Sequence, residues 1–260
     1  MKIALIAPID CLDLVAEFNT MYHLVLPDIY MLSPVYRNFY REIDGYKILD
    51  NGAAEGTIFD HSELHHIASD LGADEIVIPD HIGDFYRTVE SARSFKNWAR
   101  PEQYIYAGVL QGQTASEVMA CMNFYDGEEW INRIHVPRYL NRMIFKAFRQ
   151  EFLSAMYMNS RTAARPYRFK DYHCLGASEW IRESAALSEN SIIRGMDTSL
   201  PFSMGLENKS MSFGHDYVGR QRDYFNITVP RSSSAWGVIN DNIRTYLEWA
   251  QCLYIQPETS

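Results

Sequence analysis

Eight short apolar runs punctuate the chain, at residues 3–7, 23–26, 47–49, 75–78, 104–109, 131–136, 173–175 and 192–196. Most are separated by segments with helical spacing, at 34–42, 61–71, 85–98, 116–124, 139–158 and 179–187. A last helix is expected at 242–252, with Ile243, Tyr246, Leu247 and Ala250 on one face. Alternation of this kind predicts parallel βα units. Four of the runs deliver polar groups where the strand pattern stops: Asp50-Asn51-Gly52, Asp80, Gln111-Gly112 and Asp197. An Asp taken singly is an ordinary helix cap or turn residue. Recurrence at successive strand ends is different, because in a (β/α)8 barrel those ends converge on one face. The expected fold is therefore α/β, a single-domain TIM-like (β/α)8 barrel over residues 1–255 with a frayed tail at 256–260. The stretch 199–234 is polar, shows little periodicity and contains Pro201, Gly205, Gly214, Gly219 and Pro230, so it reads as a long loop over the carboxyl-terminal face.

Composition narrows the function. The chain has 260 residues, 47% hydrophobic and 22% charged, enough for one large core. A net charge of −9 argues against whole-surface attraction to a polyanion or an anionic membrane, so any nucleic-acid contact needs a local patch. Residues 131–170 supply one: nine basic residues, among them Arg133, Arg138, Arg142 and Lys146, against the single acid Glu151, with aromatic residues interleaved. Such a segment fits a phosphate backbone, with rings offering stacking faces. It equally fits a solvated helix with core aromatics, since Phe145, Phe148 and Phe152 recur at helical spacing.

Cys11, Cys121, Cys174 and Cys252 lie far apart, which signals neither a zinc knuckle nor a disulfide framework; reduced thiols in a cytoplasm are expected. The apolar start is broken by Pro8, too short for a signal peptide or a membrane span. No glycine-rich dinucleotide fingerprint or phosphate loop is present, which disfavours a nucleotide cofactor. His61 and His65 have a spacing that would suit a metal, but Glu63 does not fit the zinc-protease pattern, and exposed helix histidines are expected instead. Asp80-His81-x-x-Asp84 leaves a metal-dependent barrel hydrolase as a weaker alternative.

Asp50, Asp80 and Asp197, at the ends of strands three, four and eight, would face one another across a barrel mouth. A carboxylate can attack an electrophilic sugar carbon, because departure of the leaving group creates an oxocarbenium-like centre that an anion stabilises and captures. Two acids within reach divide the labour, one attacking and one handling protons. The Gln111 amide has the donor and acceptor needed to read a purine edge.

At this point the motifs resemble the tRNA-guanine transglycosylase superfamily, which exchanges guanine in a polynucleotide for a 7-deazaguanine on a (β/α)8 barrel. Leu49-Asp50-Asn51-Gly52 resembles that family's Asp-Ser-Gly-Gly segment, and Ala73 to Asp80 is similar to its strand ending in the Asp that pairs with the purine edge. The segment from Arg87 to Ala99 resembles the helix after it, and Ala107-Gly108-Val109-Leu110-Gln111-Gly112 is similar to its base-reading Gly-hydrophobic-x-Gln-Gly. Tyr172-His173-Cys174-Leu175-Gly176 resembles its penultimate strand, and Gly195-Met196-Asp197 falls where it carries a nucleophilic Asp. The resemblance is collinear from Asp50 to Asp197. It implies Asp197 and Asp50 as catalytic residues, with Asp80, Gln111, Gly112, Asn51 and Gly176 on the base and Arg133, Arg138, Arg142 and Lys146 on the nucleic acid.

The departures are specific. Ala53-Ala54-Glu55 stands where the family has a base-stacking aromatic, leaving Phe85, Tyr86, Phe202 and Phe213 as candidates. Arg133 to Arg138 replaces the Gly-Gly-Leu-Ala-Val-Gly-Glu motif, and the zinc-binding insertion is missing. Without a zinc subdomain the chain looks like the shorter members, which insert a preQ0-type base into DNA in bacteria and their phages. The resemblance thus implies DNA as the partner, with tRNA (queuosine-type chemistry) as the alternative, no cofactor or metal, no membrane, and a cytoplasmic setting in a bacterium or phage-infected host; a homodimer is left open. A catalytically inactive barrel that binds nucleic acid or a catalytic subunit is the alternative from another class.

Overall fold

The computed structural model describes residues 1–164, 166–169, 171–176, 190–213 and 219–252. Each apolar run becomes a strand: β1 (Lys2–Leu5), β2 (Tyr22–Val25), β3 (Tyr46–Leu49), β4 (Glu75–Val77), β5 (Ile105–Val109), β6 (Arg133–Pro137), β7 (Tyr172–Leu175) and β8 (Ile193–Thr198). The sheet order is β1-β8-β7-β6-β5-β4-β3-β2, and every pairing is parallel. Consecutive strands are neighbours, and β1 and β2 lie against each other without a hydrogen-bonded ladder, so the barrel is nearly closed. The expected α/β barrel is the observed fold.

Helices α1 (Leu12–Phe18), α2 (Pro27–Leu32), α3 (Pro34–Glu42), α4 (His61–Leu71), α5 (Phe85–Phe95), α6 (Ala115–Asp126), α7 (Leu140–Met143), α8 (Phe148–Thr162), α9 (Leu200–Leu206) and α10 (Ser234–Cys252) surround the strands. Local chemistry sets their starts. Asp60 with Glu63 and Thr114 with Glu117 form reciprocal capping boxes on α4 and α6, and the Asp84 side chain caps α5. Two helices were hidden from periodicity because α1 and α2 have only seven and six residues. The segment 139–158 is two helices, with a break at Ile144 where the Asn141 side chain accepts from the Arg149 N–H. The stretch 199–234 is not all loop: α9 is buried along almost its whole length, and α10 begins at Ser234 rather than at 242. The expected helix at 179–187 and the tail lie outside the described residues.

His65 is a further correction. It is buried, with Nδ1 on the His61 carbonyl at 2.7 Å and Nε2 on the Tyr106 hydroxyl at 2.9 Å, while His66 is exposed as expected. No helix among the described residues is long and apolar enough to cross a membrane.

Between strands and helices the packing is apolar, with Leu49, Leu64, Ile67, Ile76, Ala92 and Phe95 all buried. Inside the barrel it is polar. Glu75 enters from the start of β4 and is fully buried, which is tolerable only because three partners meet it. His135 Nε2 lies at 2.7 Å, the Tyr46 hydroxyl donates at 2.8 Å, and the Arg194 guanidinium is at 2.7 Å. Arg194 reaches this place through an irregularity: Tyr172 faces Ile193 and His173 faces Gly195, so β8 carries one extra residue there. Tyr22 and Tyr46 flank the guanidinium, their ring centroids 5.4 and 5.0 Å from it.

Candidate active site

At the carboxyl-terminal end of the barrel is a hollow of about 230 Å³. Asp50, Asn51, Asp80, Gln111, Gly176 and Asp197 line it, so residues from the ends of five strands meet around one space. Gly112 follows Gln111 and packs against the first turn of α6 instead. The walls between the polar groups are apolar, from Leu24, Ile82, Val109 and Leu175 among others.

Asp80 is held from both sides. The Asn51 amide donates to Oδ1 and the Gln111 amide donates to Oδ2. Gln111 is itself oriented, because the Tyr139 hydroxyl and the Gly83 N–H both donate to its Oε1, which turns its NH2 towards Asp80. Burial pushes the Asp80 carboxyl up to about 6 against the pull of the two amides.

Asp50 stands in a different field. Burial first, and then the negative charges of Glu55, Asp80 and Asp197, hold its carboxyl well above the usual range. Asp197 goes the other way. Burial would raise it, but the His173 hydrogen bond, the Gly176 N–H and the nearby Arg220 hold it below the usual range. Gly176 donates at 2.8 Å and His173 Nε2 lies at 3.2 Å, both on Oδ1. A left-handed φ of 72° at Gly176 gives the turn after β7 the shape that turns this N–H towards the carboxylate. The fully buried Arg149 ties the same turn down, donating to the Leu175 and Gly176 carbonyls at 3.0 and 2.9 Å. Three carboxyl groups around one hollow thus have separated proton affinities, the condition for dividing acid, base and nucleophile roles.

No protein-family model and no curated protein matches the chain.

Across the mouth, Arg220 from the β8–α10 connection meets Glu55 from the β3–α4 connection at 2.9 Å, and both line the hollow. Of the proposed phosphate ligands, Arg138 lines the hollow, and Arg142 and Lys146 follow β6 as exposed residues on the same side. Arg133 does not join them. It starts β6, at the opposite end of the barrel, and pairs with Asp171 at 3.0 Å. Elsewhere in the basic segment, Arg168 is spent on the carbonyls of Tyr125, Asp126 and Glu128, and Arg161 on the ring of Tyr157.

Of the stacking candidates, Phe85, Tyr86 and Phe202 do not line the hollow. Phe202 is fully buried in α9, Tyr86 is exposed on α5, Phe85 is partly buried, and the Phe213 side chain lies outside what is described. Tyr139 is the one aromatic among the described lining residues. Asp84 and His81 have local partners, the Arg87 N–H and the Ser91 hydroxyl, and among the described residues no three His, Cys, Asp or Glu side chains gather as a metal site. Sequence reasoning missed Tyr139, Glu55, Arg220, Arg149 and His173. His173 stood inside a quoted motif and Glu55 in a quoted departure from one, and nothing in the spacing of His173 distinguished it from strand packing.

Proposed function

We propose that the protein is a guanine transglycosylase, exchanging guanine in a nucleic acid for a 7-deazaguanine of the preQ0 kind, in DNA in preference to tRNA. The single observation that carries this reading is the set of three carboxyl groups with separated proton affinities around a base-sized hollow, one of them gripped by two side-chain amides. The collinear resemblance of the strand-end motifs supports it from the sequence side.

The target nucleotide leaves the stack, since its glycosidic carbon is out of reach inside a helix. Asp80, with Asn51 and Gln111, binds the hydrogen-bonding edge of the base. The Asp197 carboxylate attacks C1′; the C1′–N9 bond breaks, its electron pair goes to N9, and Asp50 supplies the proton. Guanine departs and leaves an aspartyl-glycosyl ester. The 7-deazaguanine then enters, Asp50 takes its N9 proton, N9 attacks C1′ and Asp197 is released as carboxylate. Charge and protons balance over the cycle, and the scheme consumes no cofactor. Arg138, Arg142 and Lys146 serve the phosphates flanking the flipped nucleotide.

The test is exchange of labelled guanine into DNA or tRNA. Label is expected in DNA with the wild type and in neither polymer with Asp197→Asn. Uptake by tRNA alone would make the enzyme a tRNA-guanine transglycosylase, and equal exchange by the variant would remove Asp197 as the nucleophile.

A further inference from the structure

Among the described residues, hydrogen-bond donors approach Asp197 from one side only. His173 and the Gly176 N–H both address Oδ1, and no described residue donates to Oδ2. His173 is 1% exposed, with its other nitrogen, Nδ1, 2.8 Å from the hydroxyl of Tyr22, which is fully buried. These distances determine the tautomer. A neutral imidazole donates from one nitrogen and accepts at the other. The nitrogen facing an ionised carboxylate has to carry the hydrogen, so Nε2–H donates to Asp197 and Nδ1 accepts from the Tyr22 O–H. The chain of donors runs one way, from Tyr22 to His173 to Asp197.

We infer that His173, with its tautomer fixed by Tyr22, is a positioning residue for Asp197, holding Oδ1 so that Oδ2 is the oxygen presented to the sugar carbon. The inference rests on the base-exchange reading for its chemistry, though not for its geometry. An anchored Oδ1 restricts rotation of the carboxylate about its Cβ–Cγ bond, and the entropy that a swinging nucleophile would lose on attack is lost in advance. It also keeps the nucleophile ionised beside two further acids. The same arrangement explains why a histidine is used: burial holds its ring down to about 4 against the pull of Asp197, so it donates as a neutral group and does not take a proton from the site.

Other charges face this pair from every side. Asp50 and Asp80 lie across the hollow, with Glu55 and Arg220 above them. Beneath, the His135 ring packs on His173 with centroids 4.7 Å apart, and Glu75 with Arg194 lies below that. Removing the His173 donor while all of these stay in place raises the affinity of Asp197 for a proton. The acid limb of the kcat profile therefore moves to higher pH, a change that a purely structural role would not produce.

The experiment compares wild type, His173→Phe, His173→Gln and Tyr22→Phe in the guanine-exchange assay across pH. It is paired with 15N spectra of histidine-labelled protein, in which His173 is assigned by its loss in His173→Gln. Expected for His173→Phe are a kcat about tenfold to a hundredfold lower, KM for guanine within about threefold, and an acid limb displaced upwards. Gln, whose Nε2 can donate from nearly the same place, restores much of kcat. Tyr22→Phe keeps the ring and shifts the limb in the same direction by less, and it carries the test if the buried Phe prevents folding. Unchanged profiles in Tyr22→Phe and whichever His173 variants fold overturn the inference, as does an Nδ1–H resonance for His173 in the wild type. The spectra are read without turnover, so a wild type that exchanges no guanine sinks the base-exchange reading while the tautomer still decides the geometry.

Discussion

Tyr22 packs directly on Gly195: a Cβ built at that glycine would stand 2.5 Å from Cε1 of the ring. Tyr22 is fully buried and holds His173 through its hydroxyl, so it has no room to retreat without moving the support of Asp197. Gly195→Ala is expected to destabilise the fold by about 1–3 kcal/mol, the usual cost of overpacking a well-filled interior. It is also expected to lower exchange activity more than a stability change of that size explains. Urea denaturation and initial rates on the same preparation check both; an alanine variant as stable and as active as wild type would show that the contact relaxes freely.

Base binding is expected to follow the Asp80 proton. Its carboxyl is pushed up to about 6, and only the ionised form accepts N–H groups at both oxygens. The dissociation constant for guanine should therefore be flat well above that value and rise about tenfold per pH unit below it. Asp80→Asn should weaken binding and abolish the limb. Calorimetric titration at several pH values is the measurement, and a flat profile in the wild type would remove Asp80 from the base edge.

Acid stability tests the buried ion pair. The Glu75 carboxyl is held down to about 2: burial opposes ionisation, but His135, Arg194 and Tyr46 outweigh it. A carboxylate whose affinity for protons is lower in the fold than in the unfolded chain contributes stability above its unfolded value, near 4.5, and that contribution is lost as pH falls through about 2. His173 adds to the same trend: its ring is lowered to about 4, so stability is lost as pH falls from the ordinary histidine value, 6.5, through that point. Glu75→Ala, which leaves Arg194 without its counter-ion, is expected to cost about 3–5 kcal/mol at neutral pH. The gap between wild type and variant should narrow in acid, as chemical denaturation at a series of pH values would show.

Salt dependence separates the basic residues. Arg142→Ala and Lys146→Ala should each lower the slope of log affinity against log salt for DNA by about 1. Arg133→Ala, at the far end of β6 and paired with Asp171, should leave the slope unchanged. Equal effects from all three would place the nucleic acid along the side of the barrel and not over its mouth.

What was readable beforehand divides along physical lines. Period and capping chemistry are local, so the eight strands and the ends of α3 and α4 were visible from the chain alone. The carboxylates showed because a polar group closing an apolar run breaks a local pattern. The supports of those carboxylates did not show, since Tyr22 and His173 touch across a separation of 151 residues and each looks like ordinary strand filling. Charge density misled for a related reason. Composition counts Arg149 and Arg133 with Arg138, whereas folding sends the first inward onto backbone carbonyls and the second to the other end of its strand.

The missing ladder between β1 and β2 falls between the two sides of the site. The Asp50 N–H is fastened to the carbonyl of Val25, the last residue of β2, and the Ile6 N–H to the Thr198 carbonyl, next to Asp197. The gap between Asp50 and Asp197 is thus spanned by a junction without a backbone ladder, where local opening is expected to cost least among the strand pairs. A sugar and base bridging both acids would act as a clasp across that seam. Amide hydrogen exchange along the facing edges of β1 and β2 should be fastest among the barrel strands in the empty protein and slow on loading with guanine.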